Sequence, residues 1–299
     1  MITMSAVKLS FGYDVERPYG KWASSERAPA MQKTEIGTCE KLNTLFNQEG
    51  VPRTFFVLGS FLERCTDSMS KGQLRASLNA DNPLADIQQH SYSHQVIRHV
   101  EGSIDKTVMT PAEFAADLER ANQVLEDILG VTPAGLRAPL GYDHDLSDIP
   151  EVVAQLQRLH FSYVSSNMRG TPTSYRAFLT TERQPHTYAH VGFPHVVEIP
   201  THGWQDAIYT VEHAQKMLGT KPDSPDKAVE HYTELLQIAK SLAPLNDNKA
   251  IYVSLCLHPW AVAEYDPQLE VHKRIIDAAR KQHVEIVSYK DVANEVLNQ

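Results

Sequence analysis

Cysteine is scarce in this chain: Cys39, Cys65 and Cys256 stand far apart among 299 residues. None forms a CxxC pair, and three distant thiols do not make a disulfide framework. They read as reduced, mostly core residues of a cytosolic protein. Long apolar runs are missing as well, since no stretch approaches the ~18 residues of a membrane span. The opening "MITMSAVKLS" lacks both the charged start and the apolar stretch of a signal peptide, so a cytoplasmic location is expected. Positive charge is in deficit: 28 basic residues face 37 acidic ones, for a net of −9, and no Lys/Arg-rich run stands out. Nucleic acid and membrane surfaces are therefore not expected partners. Low-complexity segments and short repeats are absent.

What is present is an ordinary globular composition, 42% hydrophobic and 22% charged. The length suffices for a sizeable core. Strand-like and helix-like segments alternate. Strands are expected at "AVKLSF" (6–11), "RTFFVL" (53–58), "DIQQH" (86–90), "GLRAP" (135–139), "FSYVSS" (161–166), "HVVEIP" (195–200), "AIYVSLCL" (250–257) and "HVEIVS" (283–288). A helix over 33–49 puts Ile36, Cys39, Leu42, Leu45 and Phe46 on one face and closes at Gly50. Thr110-Pro111-Ala112-Glu113 is a capping box with proline at the first helical position. Ser224-Pro225 and Asp266-Pro267 open two further helices, while 60–85 and 99–109 read as loops over the mouth. Alternation of this kind argues for parallel βα units. Seven or eight units without a linker fit one closed barrel, a single domain over 1–299, with its chemistry at the carboxyl ends of the strands.

Unusual polar residues do follow those strands. Asp14 and Glu16 close the first, and strand alternation puts both on one face. They could form a solvated loop, a base or metal ligands. His90 and His94 in "HSYSH" are four apart, so on a helical turn both imidazoles would reach one ion. Two surface histidines are the plain alternative. Asp86 could orient one of the rings. His258 in "LCLHPW" is either a core group or a general acid for a leaving amine. Arg137 and Asp206 could pair with each other, or the arginine could orient Asp14. Trp204 and Trp260 flank these positions as stacking or packing residues.

In order, the segments resemble the polysaccharide deacetylase family, the carbohydrate esterases with a chitooligosaccharide-deacetylase homology domain. "LFNQEGVPRTFFVLGSFL" is similar to its "G-V-x-A-T-F-F-V-x-G" strand, and "DIQQHSYSH" to its "E-I-x-x-H-S/T-x-x-H" metal motif. "LRAPLGY" looks like "R-x-P-x-G", while "GWQD" and "LCLHPW" take the places of its later motifs. The resemblance implies an α/β fold, a distorted (β/α) barrel of about seven parallel βα units. It implies one divalent metal ion, usually Zn2+, on Glu16, His90 and His94. Asp14 would be the base, oriented by Arg137, and His258 the acid, with Asp206 in the same machinery. The Leu140 backbone N–H would help hold the oxyanion, and Tyr142, Trp204 and Trp260 would line the substrate. Most members carry adjacent aspartates in "T-F-D-D-G". Here Val15 splits the pair and the second acid is glutamate, which resembles the "D-x-D" branch that includes allantoinase-like and cyclic-imide hydrolases.

The expected activity is metal-dependent hydrolysis of a non-peptide amide C–N bond, first as N-deacetylation of an acetamido sugar or soluble sugar conjugate. Ring opening of a small cyclic amide or ureide is the alternative. A metal-free barrel that only binds carbohydrate is a third. The expected partner is a saccharide or other small molecule, and homo-oligomer formation stays open.

Overall fold

The computed structural model describes residues 6–100, 107–168, 179–202, 206, 224–247 and 249–299. β1 (Val7–Val15) is buried throughout. Its Leu9, Phe11, Tyr13 and Val15 join the main apolar cluster, alongside Ile36, Cys39, Leu42 and Phe46 of α1 (Ala28–Glu49). Period-two alternation therefore turns Ser10, Gly12 and Asp14 to the other face, the barrel interior. α1 stops at Gly50, whose φ of 63° is a left-handed terminator that glycine adopts without strain.

The chain continues through β2 (Arg53–Val57), α2 (Gly59–Cys65), α3 (Lys71–Leu78), β3 (Ala85–Gln89), α4 (Pro111–Leu129) and β4 (Gly135–Tyr142). It then forms α5 (Pro150–Arg158), β5 (Tyr163–Asn167), β6 (His186–Tyr188), β7 (Phe193–Glu198) and α6 (Pro225–Leu242). β8 (Ile251–Leu257), α7 (Pro259–Tyr265), α8 (Glu270–Lys281), β9 (Glu285–Ile286) and α9 (Tyr289–Leu297) complete it. The strand order is β6-β7-β5-β4-β3-β2-β1-β8, with β9 beside the start of β1. All neighbours from β7 to β8 are parallel, and only β6 runs antiparallel. The expected fold class is the one found: an α/β distorted barrel with seven parallel strands in sequence from β7 round to β8.

β7 and β8 form no ladder with each other among the described residues, and side chains bridge the seam. Tyr252 N donates to Gln184 Oε1 at 2.8 Å, and Ser254 N donates to His202 Nδ1 at 3.1 Å. His202 N returns a bond to Ser254 O at 3.2 Å. Tyr252 N and Ser254 N, two buried strand-edge donors, thus find acceptors. Inside the barrel, Phe56, Tyr163, Val197, Ile199, Tyr252 and Tyr289 form an apolar floor. Above it the strand ends deliver polar side chains.

Two expectations change. Residues 60–85 are not a loop: they hold α2 and α3, the latter opened by a Ser70–Gln73 capping box. Both helices are under nine residues, too short for a helical period to stand out. The helix after Asp266 starts at Glu270, and the Asp266 carboxylate accepts from Val271 N and His272 N. Of 99–109, residues 101–106 lie outside the described residues, and Met109 N donates to Val96 O at 2.8 Å. Among the described residues no helix is long and apolar enough to cross a membrane.

Candidate active site

β1, β3, β4 and β8 bring Asp14, Glu16, His90, Arg137 and His258 to one mouth. Asp14 and Glu16 are both buried, at 3% and 4% exposure, as expected from strand alternation. Glu16 Oε2 lies 2.8 Å from His94 Nε2 and 3.2 Å from His90 Nε2. The His90 Nδ1–H donates to Arg137 O at 2.8 Å, which places the ring lone pair on Nε2. A carboxylate oxygen and a bare Nε2 both accept, so a cation between them, a proton or a metal ion, is what lets them face each other. Tetrahedral zinc with bonds of ~2.0–2.1 Å spaces its ligand atoms roughly 3.3 Å apart. The Glu16, His90 and His94 donor atoms converge within 4.8 Å of one another, and the set fits zinc or a similar divalent ion.

The loop carrying His94 is not the helical turn expected. Ser91 and His94 have φ of 65° and 60°, and their segment is irregular. Asp117 of α4 holds this shape: its carboxylate accepts from Tyr92 N at 2.8 Å and Ser93 N at 3.2 Å. His94 N donates to Ser91 Oγ at 3.1 Å, and the His94 ring stacks on Tyr19, with centroids 4.2 Å apart. Asp86 does not orient an imidazole. It sits lower in the barrel and accepts from Thr54 Oγ1, Gln88 Nε2 and Lys290 N. Arg137 O takes the orienting place instead.

Asp14 Oδ1 lies 3.5 Å from Arg137 Nε. The guanidinium rests between Phe56 and Tyr289, 4.6 and 5.0 Å from the ring centroids, and donates to Tyr289 Oη at 3.0 Å. Burial alone would lower its pKa, but Tyr289 and Asp14 raise it on balance. Arg137 pairs with Asp14, not with Asp206. Asp206 accepts from His258 twice, from the backbone N–H and from Nδ1–H at 3.0 Å. His258 Nε2 then faces Asp14 Oδ2 at 3.9 Å and Glu16 Oε1 at 3.8 Å. Burial would lower the His258 pKa; the carboxylates of Asp206, Glu16 and Asp14 outweigh it and lift it to about 10. Burial would likewise raise the Glu16 pKa, yet His94 and His90 hold it well below the usual carboxylate range.

Leu140 and Gly141 both have positive φ, 64° and 58°, where the β4–β5 register shifts after Arg137. The kink lies at the strand end, just beyond Arg137. Trp260 lies beside His258, with ring centroids 5.4 Å apart. Tyr142 is not brought to this group: it packs among Val96, Ile97 and Leu146, 1% exposed, and its hydroxyl accepts from Ile97 N. Trp204 lies outside the described residues.

Sequence reasoning missed Glu35, whose carboxylate accepts from Glu16 N at 2.9 Å and Arg17 N at 3.4 Å. Burial, with Glu16 adding to it against those two bonds, pushes Glu35 up to about 8. A charge on the buried face of α1, one place before Ile36, was its signal. Asp117, next to Leu118 in the apolar stripe of α4, left a similar one.

The polysaccharide deacetylase family model matches residues 35–158, a span that holds His90, His94 and Arg137. No curated protein matches the chain. The fold is shared with two solved proteins assigned as polysaccharide deacetylases. One, from Mycobacterium smegmatis, is 19% identical with a TM-score of 0.69, over 99% of this chain and 91% of that one. The other, from Pseudomonas aeruginosa PAO1, is 16% identical with a TM-score of 0.62, over 99% and 92%. An allantoinase is 14% identical with a TM-score of 0.64, over 97% and 90%. The resemblance to the polysaccharide deacetylase family is borne out over residues 35–158, which hold three of the five motifs.

Proposed function

We propose that this chain is a divalent-metal-dependent hydrolase of non-peptide amide bonds, which removes acetyl groups from acetamido sugars or soluble sugar conjugates. The observation that carries the reading is the facing set of Glu16 Oε2, His90 Nε2 and His94 Nε2, with the His90 tautomer fixed by Arg137 O. Zinc suits two imidazoles and a carboxylate. When bound, such an ion would polarise the acetamide carbonyl and acidify water at the site. Asp14 Oδ2 takes the proton from the attacking water, and Arg137, paired with that carboxylate through Nε, keeps it aimed. His258, held by Asp206 through Nδ1–H, gives a proton from Nε2 to the departing nitrogen. The Leu140 N–H donates to the oxygen that gains charge. Trp260 borders the substrate from its place beside His258, and Trp204 is assigned to the same task from its sequence motif alone.

The three buried cysteines, all free, support a reducing and therefore cytoplasmic setting. Pairing of β1 with β8 across almost the whole sequence supports one domain. A metal-free binding barrel is disfavoured by the facing acceptors. Hydrolysis of a cyclic amide or ureide would use the same groups, and the split Asp14–Glu16 pair favours that second reading. Acetate release from acetamido sugars, measured beside ring opening of allantoin and cyclic imides, separates them. Ring opening alone would refute deacetylation.

A further inference from the structure

The segment after Glu16 lays a cation at the mouth. The Arg17 guanidinium sits 3.4 Å above the centroid of the Trp260 ring, and that ring lies beside His258. Among the described residues no carboxylate approaches the guanidinium within 4.0 Å. Its backbone is nonetheless pinned on both sides. Glu35 accepts from Arg17 N, and Arg64 Nη2 donates to Pro18 O at 2.5 Å. Arg17 and Trp260 are half-buried, and the Trp260 indole Nε1 is buried without a hydrogen-bond partner. Two residues on, Tyr19 stacks on His94. A fixed backbone, a cation held over an aromatic ring and an unused indole donor therefore border the reacting groups together.

We propose that Arg17, seated on Trp260, selects amide substrates bearing an anionic group, a carboxylate or a phosphate, close to the bond that is cleaved. The inference rests on the amide-hydrolase reading and deepens it. Guanidinium offers a planar fork to either anion. Stacking on indole holds that fork without consuming its outward N–H donors. The neighbouring Asp14, Glu16 and Asp206 would otherwise repel an acidic substrate, so a dedicated cation at the rim decides whether one enters.

The test pairs amides that differ only in a neutral group, a carboxylate or a phosphate, assayed with zinc-loaded wild-type, Arg17→Gln and Arg17→Lys proteins. Wild type should favour one acidic member by about tenfold or more in kcat/KM, and the arm that gains tells carboxylate from phosphate. Arg17→Gln should lose about ten- to hundredfold on that member and change less than about threefold on the neutral one; Arg17→Lys should recover part of the loss. Equal use of neutral and acidic members, or an equal loss on both in Arg17→Gln, overturns the proposal. Calorimetric binding of the same compounds to the same proteins is the second readout. Arg17-dependent binding of an acidic member without any turnover sustains this inference and defeats the hydrolase reading. Absence of Arg17-dependent binding for both anions overturns it whatever the activity.

Discussion

The central chemistry depends on which nitrogen of each histidine holds its proton. His90 spends Nδ1–H on Arg137 O, so Nε2 is left as a donor atom for a cation. His258 spends Nδ1–H on Asp206, so Nε2 faces the reacting side. The same trick serves opposite ends: one ring becomes a ligand, the other an acid. Asp206→Asn should lower kcat by about 10–100-fold. It should also move the alkaline limb of the kcat profile to lower pH. The imidazolium loses the foremost carboxylate that lifts it to about 10, so it gives up its proton earlier as pH rises. A variant with an unshifted limb would remove Asp206 from this role.

Elements matter because two of them reach under the site. α4 contributes Asp117, which ties down the left-handed loop between His90 and His94. Asp117→Ala should cost about 1–3 kcal/mol in urea denaturation, the penalty for two half-buried amides left unpaired. It should weaken metal binding about 10–100-fold in equilibrium dialysis while both histidines remain. β1 contributes Gly12, over which Arg137 passes to reach Asp14. A Cβ there would lie 2.7 Å from Arg137 Nη2 and from Tyr289 Cε2. Gly12→Ala should therefore destabilise the fold by about 1–3 kcal/mol, read in the same denaturation experiment. It should lower kcat more than it lowers metal affinity. The strands and most ligands were legible because each strand end carries its side chains in period two, and because proline and Ser/Thr caps punctuate the long helices. The loop shape at His94 was not legible, since the carboxylate that bends it comes from 23 residues later in sequence. Tyr142 misled for a related reason: its motif neighbours Arg137 and Leu140 stand at the mouth, but the kink between them turns its ring into an apolar layer.

At the scale of the whole molecule, the barrel is a parallel sheet whose last seam is closed by Gln184 and His202 instead of a strand ladder. Burial drives the His202 pKa down to about 3, and nearby Arg183 adds to that. The folded protein then binds fewer protons than the unfolded chain between about pH 3 and the ordinary histidine value of ~6.5. Its share of stability is complete above ~6.5 and drains away as pH falls toward 3, at up to ~1.4 kcal/mol per pH unit. Urea midpoints of wild type and His202→Gln should converge as pH falls from 7 to 4, because only the wild type loses this share, while the raised Glu35 acts equally in both. No strand pattern announces such a seam, because the acceptors on it are side chains from outside the strands. The central claim, that amide hydrolysis here runs on one divalent ion held by Glu16, His90 and His94, is tested most directly by titrating Zn2+ into metal-free protein. Amine or acetate release from an acetamido sugar is followed throughout. Release should climb with each addition and level off near about one ion per chain, and His94→Ala should stay flat. Release that is already full without metal, or that never tracks bound zinc, would contradict it.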